Sequence, residues 1–146
     1  MTMDFSSLIQ LIFITLLPYI ELRGAIPYGV FILKLPVVES FLISTLINIL
    51  LAIPTLIILN LIFPFFEKIN FIKKMLFNLR KKSESAVQKY GFIGLLIFVA
   101  IPFPGTGAYS GCLFSKIFNM DFKKSFIAIA LGVLIAGIIV SLVVFA

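Results

Sequence analysis

The sequence lacks histidine and tryptophan, and it contains a single cysteine, Cys112, in 146 residues. Without histidine, the usual general base and a common zinc ligand are missing. One cysteine excludes an internal disulfide framework and a thiolate metal cluster, so we interpret Cys112 as a small core residue. The segment Gly107–Gly111 is no nucleophile elbow, because Ser110 is one place out of register and no histidine could activate it. The sequence therefore predicts no enzyme, no metal site and no cofactor.

Charged residues are also scarce. They make up 12% of the chain, whereas apolar residues make up 62%. A soluble domain is about half apolar and about one quarter charged. A soluble globule of this composition would expose large apolar patches and aggregate. The composition therefore predicts an integral membrane protein.

The net charge of +6 is concentrated in one place, since seven of the twelve basic residues lie between Lys68 and Lys89. Basic residues that flank apolar spans usually mark the cytoplasmic face and attract anionic headgroups. We therefore expect membrane lipids, and not nucleic acid, as partners of this segment.

Apolar runs of two lengths follow one another along the chain. Residues 40–66 and 122–146 are each long enough to span about 30 Å of hydrocarbon. Four shorter runs of roughly 11 to 14 residues are not, since a helix rises about 1.5 Å per residue. They pair into two candidate re-entrant hairpins, broken at 18–24 and at 102–107. The alternative for the first pair is one ordinary helix over residues 5–28 that carries a buried ion pair.

The basic segment has an apolar stripe of its own. Ile72, Met75, Leu76 and Leu79 recur at helical spacing, with basic residues elsewhere on the wheel. This pattern predicts an amphipathic helix over about 67–90 that lies on the membrane surface. Its role is either lipid sensing and gating or simple topological anchoring.

The order of short run, Pro/Gly break, short run and long span occurs twice. The pattern predicts an all-α integral membrane protein with an inverted repeat, in which each half is a re-entrant helical hairpin followed by one transmembrane helix. Residues 1–146 then form a single membrane domain, with repeat 1 over about 5–66 and repeat 2 over about 91–146. The positive-inside rule places the basic helix in the cytoplasm and both termini outside, in a multi-pass protein of the cell membrane.

The first break contains Glu21, Arg23 and Gly24. Charges within a membrane need partners or water, and they mark functional sites. We expect Arg23 to bind an anionic group through its fork and Glu21 to take up and release a proton. The alternative is a structural ion pair at the hairpin tip. Two residues apart on a helix, these side chains would point to different faces unless the backbone is unwound. Asn48, inside a long span, is either a substrate contact or an interhelical structural bond.

The second break carries no charge. Helices that begin at Gly24 and at Gly107 would point positive dipole ends at the centre of the membrane and favour an anion. The alternative is a tight turn whose hydroxyls bind local carbonyls. The candidate substrate or coupling residues of this break are Pro104, Gly105, Thr106, Gly107, Tyr109 and Ser110.

At these residues the chain resembles a known family. Residues 18–29, with Pro18, Glu-Leu-Arg-Gly-Ala-Ile-Pro and Gly29, and residues 101–111, with Pro-Gly-Thr-Gly-Ala-Tyr-Ser-Gly, resemble the small multidrug export protein family. That family resembles the DedA/VTT superfamily. The resemblance implies two opposed re-entrant hairpins, each followed by a spanning helix. It also implies movement of lipids or lipid carriers, such as undecaprenyl phosphate or phosphatidylethanolamine, between leaflets, with proton or sodium coupling.

These observations predict a transporter or flippase that moves a lipid-linked or amphipathic, anionic substrate. Transport is expected to be coupled to protons or sodium, and the protein is expected to form a homodimer. One alternative is a small proton-coupled exporter of multidrug cations, in which a membrane glutamate alternates between proton and drug; a fixed charge on Arg23 opposes it. Another alternative is a passive scramblase or a structural membrane subunit.

Overall fold

The computed structural model describes residues 3–103 and 105–146. Within these ranges the chain forms six α-helices and no β-strand. The helices are α1 (Phe5–Leu16), α2 (Glu21–Phe31), α3 (Val37–Glu67), α4 (Asn70–Ala100), α5 (Ala108–Ile117) and α6 (Phe122–Phe145). The prediction of an all-helical protein is confirmed.

Two helices, α3 and α6, are long and apolar enough to cross a membrane. They correspond to the two long runs of the sequence, and α3 remains helical through Pro54 and Pro64. The first two helices are short, with 12 residues in α1 and 11 in α2. Their lengths correspond to about 16–18 Å at 1.5 Å per residue, which is less than the thickness of the hydrocarbon core.

The structure differs from the prediction for the basic segment. Residues 70–90 of the predicted surface helix and the apolar run that follows them form one continuous helix, α4, of 31 residues, whereas Glu67 is the last residue of α3. At the predicted boundary, residues 90 and 91, there is no proline to end the helix, and Gly91 does not interrupt the helical hydrogen bonds. A single glycine in a helix costs only about 1 kcal/mol relative to alanine, which packing can offset.

Helix α3 has two contrasting faces. Leu42, Leu46 and Leu50 lie on one side and expose 52–57% of their surface. Ser44 and Asn48 lie on the other side and are fully buried. Apolar residues outside and polar residues inside are expected of a helix in lipid, where buried polar groups find partners on neighbouring helices.

Small residues allow α6 to pack closely at the centre. A Cβ at Gly132 would lie 2.7 Å from the Cβ of Val99 on α4. A Cβ at Gly137 would lie 2.8 Å from the hydroxyl of Thr45 on α3. The core formed by α3, α4 and α6 also contacts α2 and α5, and it supports the two breaks that form the candidate site.

Candidate functional site

The break between α1 and α2 meets the break between α4 and α5. In the first break, Tyr19 and Glu21 have φ angles of 69° and 48°, in the left-handed region. Helix α2 begins at Glu21, so the predicted start at Gly24 is wrong, and Gly24 lies within the first turn. The left-handed backbone at Tyr19 and Glu21 costs about 1–3 kcal/mol per residue and persists only where surrounding contacts hold it. The side chains of Glu21 and Arg23 make such contacts.

The carboxylate of Glu21 binds the start of α5. Oε2 accepts a hydrogen bond from the backbone N–H of Ala108 at 3.0 Å, and Oε1 accepts one from Tyr109 at 3.3 Å. The first N–H groups of a helix have no partner within it and carry partial positive charge. The N-cap residue of α5 is Gly107, which has no side chain, so Glu21 supplies the cap from the opposite break.

Two further donors face the same carboxylate. The Nη1 of Arg23 lies 3.3 Å from Oε2, and the Nδ2 of Asn48 lies 3.4 Å from it. Glu21 is only 3% exposed, so its charge is balanced by these four donors and not by bulk water. An ionised carboxylate accepts at both oxygens, which matches a site made of donors.

The guanidinium of Arg23 binds the end of α4. Its Nη2 donates to the carbonyls of Val99 at 2.9 Å and Ile101 at 3.3 Å, and it also contacts the carbonyl of Thr106. The last carbonyls of a helix have no partner within it and carry partial negative charge. The two charges of the first break therefore bind the two helix ends of the second break, each at the end of opposite sign.

The ion pair forms although its members are two residues apart. Side chains at this spacing on a regular helix point to different faces. Glu21 has a positive φ, so it leaves the helical path just where α2 begins, and its carboxylate turns towards Arg23. The predicted condition for the pair, an unwound backbone at the break, is present.

Two hydroxyl groups stabilise the second break, one within it and one on the first turn of α5. The Thr106 hydroxyl lies 2.6 Å from the carbonyl of Ile101 and 2.8 Å from that of Phe103, so it binds a local acceptor. The Tyr109 hydroxyl donates to the carbonyl of Leu16, at the end of α1, at 2.7 Å. Gly105 has a φ of 89°, which glycine adopts without strain. Pro104, a predicted site residue, lies outside the described residues.

A cavity of about 250 Å³ opens beside the ion pair. Its lining combines apolar side chains with both charges of the first break, a combination suited to an amphipathic ligand. Six predicted residues line it: Glu21, Arg23, Gly105, Gly107, Tyr109 and Ser110. Pro18, Tyr19 and Leu113, which were not predicted, complete the lining.

The remaining predicted residues take other positions. Asn48 lies behind Glu21 and touches it through one hydrogen bond, while its Oδ1 has no partner among the described residues. Thr106 contacts Arg23 through its carbonyl. A Cβ at Gly24 would lie 2.5 Å from Cγ2 of Ile20, so this glycine permits local packing and does not line the cavity.

A buried polar row next to the site was missed. Thr15, Ser40, Ser44 and Thr45 are each at most 4% exposed, and they lead along the interior of α1 and α3 towards Asn48. The hydroxyl of Thr15 lies 3.5 Å from that of Ser44. The signal was present in the sequence, because residues 40, 44 and 48 repeat at four-residue spacing within an apolar span.

Comparison with known proteins assigns this chain to a family. The family model described as "Putative small multi-drug export protein" matches residues 21–139, a range that contains both charges of the first break and all of the second. No curated protein matches the chain, and no solved structure matches it either. The family model covers most of the sequence, and α3 and α6 are apolar enough for a membrane. The chain is therefore a membrane protein that belongs to this small multi-drug export family.

Proposed function

We propose that this protein is a membrane transporter of a small amphipathic anion, and that Glu21 occupies the anion's place in the resting state. The observation that carries the proposal is the position of the Glu21 carboxylate, bound at the N-terminus of α5 and beside Arg23.

Four groups of the described residues form hydrogen bonds with this carboxylate, and all four are donors. Two are backbone N–H groups at a helix N-terminus, one is the side-chain amide of Asn48, and one is the guanidinium of Arg23. The carboxylate or phosphate of a substrate would find the same donors, because helix N-termini and arginine forks both bind such anions. The adjoining cavity, with Leu113 and Pro18 in its wall, would hold the apolar part of the substrate.

Coupling follows from competition for these donors. Protonation removes the charge of Glu21 and turns one of its oxygens into a donor, so the carboxyl group no longer matches the site. A substrate anion can then replace it, and a proton and an anion move together. A sodium ion bound to the displaced carboxylate would replace the proton in this scheme. Transport assays with a proton gradient alone and with a sodium gradient alone distinguish the two coupling ions.

We propose that the two breaks are the tips of two re-entrant hairpins in an inverted repeat. The packing supports this, because it is largely symmetric when the halves are exchanged: α2 contacts α6 as α5 contacts α3, and α1 contacts α3 as α4 contacts α6. In this arrangement the protein is multi-pass, the basic part of α4 is cytoplasmic and both termini are outside. Two spanning helices enclose little volume, so the transporting unit is a homodimer.

Export of a cation is the second candidate, and the family description favours it. Glu21 would then alternate between a proton and a cationic drug. The fixed positive charge of Arg23, 3.3 Å from the Glu21 carboxylate, opposes this reading because it repels a cation at the same place. A passive scramblase or structural subunit is a third candidate, in which the ion pair only holds the two breaks together.

Purified protein in liposomes separates these functions. Uptake is measured for carboxyfluorescein, an amphipathic anion, for ethidium, an amphipathic cation, and for a labelled anionic phospholipid that stands for a lipid-linked substrate. We expect uptake of an anionic probe, accelerated by an inward proton or sodium gradient. The Glu21→Gln variant should keep anion uptake but lose its dependence on the gradient, and Arg23→Gln should lose anion uptake.

Two results would contradict the proposal. Ethidium export that improves in Arg23→Gln would identify a cation exporter. Flipping of the labelled lipid at a rate unaffected by either variant or by any gradient would identify a passive scramblase.

A further inference from the structure

A second and larger groove lies at the C-terminal end of α3, away from the ion pair at the two breaks. It has a volume of about 1210 Å³ and lies between the end of α3, the basic half of α4 and the turn after α5. Among the described residues, it shares no lining residue with the cavity at the breaks. A function of this groove is therefore separate from the proposed transport site.

The groove combines cationic and apolar lining. Five basic and two acidic residues line it, and the basic ones are Lys68, Lys73, Lys74, Arg80 and Lys81. Arg80 pairs with Glu67 at 3.1 Å, and within the part of the chain that the structure describes none of the four lysines is in an ion pair.

Arg80 fixes the floor of the groove. Its Nε donates to the carbonyl of Ile117 at 2.9 Å and its Nη2 lies 3.3 Å from that of Lys116, at the end of α5. The pair with Glu67 joins the same side chain to the end of α3. The groove is thus held by three helices through one arginine, while Lys73, Lys74 and Lys81 at its rim are exposed and available to a ligand.

The apolar wall decides what kind of anion fits. Phe77, 64% exposed, and Phe118 line the groove together with the buried Leu76. A free phosphate would use the lysines and leave the aromatic wall in contact with water. A phospholipid would place its headgroup phosphate among the lysines and an acyl chain along this wall. Basic pockets at the ends of spanning helices favour anionic headgroups for the same electrostatic reason.

We propose that this groove binds an anionic phospholipid from the leaflet at the C-terminal end of α3. The lysines at its rim, chiefly Lys73 and Lys74, contact the headgroup phosphate, and the wall at Phe77 contacts the acyl chain. The bound lipid would tie the basic half of α4 to the ends of α3 and α5.

Thermal unfolding of the delipidated protein, residues 1–146, in a neutral detergent tests the proposal. Phosphatidylglycerol, phosphatidylcholine and inorganic phosphate are added separately at equal concentrations. A ligand that binds the folded state raises the unfolding temperature. We expect phosphatidylglycerol to raise it by roughly 5 °C, and the other two to raise it by less than about 1 °C.

Two pairs of adjacent lysines give a matched control. Lys73 and Lys74 line the groove, whereas Lys123 and Lys124 are exposed at the start of α6 and do not line it. The double variant Lys73→Gln/Lys74→Gln should lose most of the phosphatidylglycerol effect, and Lys123→Gln/Lys124→Gln should keep it. An equal loss in both variants would overturn the proposal in favour of diffuse charge attraction. A full effect from inorganic phosphate alone would overturn it in favour of a free-anion site.

Discussion

Two arginines of this protein make the same kinds of contact but differ in how deeply their side chains are buried. Arg23 and Arg80 each pair with a glutamate, and each donates to carbonyls at the C-terminal end of a helix, α4 for Arg23 and α5 for Arg80. The Arg23 and Glu21 side chains are 10% and 3% exposed, whereas those of Arg80 and Glu67 are 29% and 37% exposed. Water can replace a lost partner at Arg80, but it is largely excluded at Arg23. Burial, and not the set of contacts, should therefore decide what each arginine contributes.

The largest difference is expected when each glutamate is removed. Glu21→Ala leaves a buried guanidinium without its counter-charge and the start of α5 without its cap, which should cost about 3–5 kcal/mol. Glu67→Ala should cost no more than about 1 kcal/mol, since the pair is partly exposed. Unfolding in mixed micelles with increasing sodium dodecyl sulfate measures both. Equal small losses would show that the pair at the breaks is hydrated.

The second comparison replaces each arginine by lysine, which keeps the charge and removes the fork. Arg23→Lys loses several of the bonds to Glu21 and to the carbonyls around the second break, and we expect a loss of about 1.5–3 kcal/mol. Arg80→Lys should lose less than about 1 kcal/mol. The same unfolding assay measures both variants, and a larger loss for Arg80→Lys would reverse the assignment of the two sites.

Close approach of the two breaks is tested by adding one methyl group. A Cβ at Gly107 would overlap the carboxylate of Glu21, whereas a Cβ at Gly94, within α4, would meet no atom of the described residues within 4 Å. Gly107→Ala should therefore cost about 1–3 kcal/mol through overpacking. Gly94→Ala should be neutral or stabilising by up to about 1 kcal/mol, because alanine is the better helix former. A neutral Gly107→Ala variant would mean that Glu21 does not approach the start of α5.

The smallest effect is expected at the hydroxyl that joins the second break to α1. Tyr109→Phe removes the bond to the Leu16 carbonyl and should cost about 1 kcal/mol. Tyr90, which is 56% exposed on α4, provides the matched control, and Tyr90→Phe should change stability by less than about 0.5 kcal/mol. Circular dichroism during heating measures both. Equal changes would indicate that the Tyr109 hydroxyl is satisfied by water.

The sequence predicted much of this architecture because membranes impose strict rules on length and polarity. The spans α3 and α6 followed from their length, and the choice of Glu21 and Arg23 as candidate site residues followed from the cost of charge in an apolar chain. The continuity of α4 was not predictable from pattern, since a change from amphipathic to uniformly apolar sequence indicates a new environment and not a helix end. The capping of α5 by Glu21 was also hidden, because it joins Glu21 to backbone groups 87 and 88 residues away. Because each residue other than proline has a backbone N–H, residue type does not indicate which of these donors binds a side chain.

Binding of an amphipathic anion to the Glu21→Gln variant tests the central claim most directly. If Glu21 occupies the place of the substrate anion, removal of its charge should free the donors at the start of α5. Carboxyfluorescein should then bind Glu21→Gln about tenfold more tightly than the native protein, a difference of about 1.4 kcal/mol, measured by fluorescence anisotropy in neutral detergent. The double variant Glu21→Gln/Arg23→Gln should lose this gain. Unchanged or weaker binding to Glu21→Gln would contradict the claim that the carboxylate and the substrate share one site.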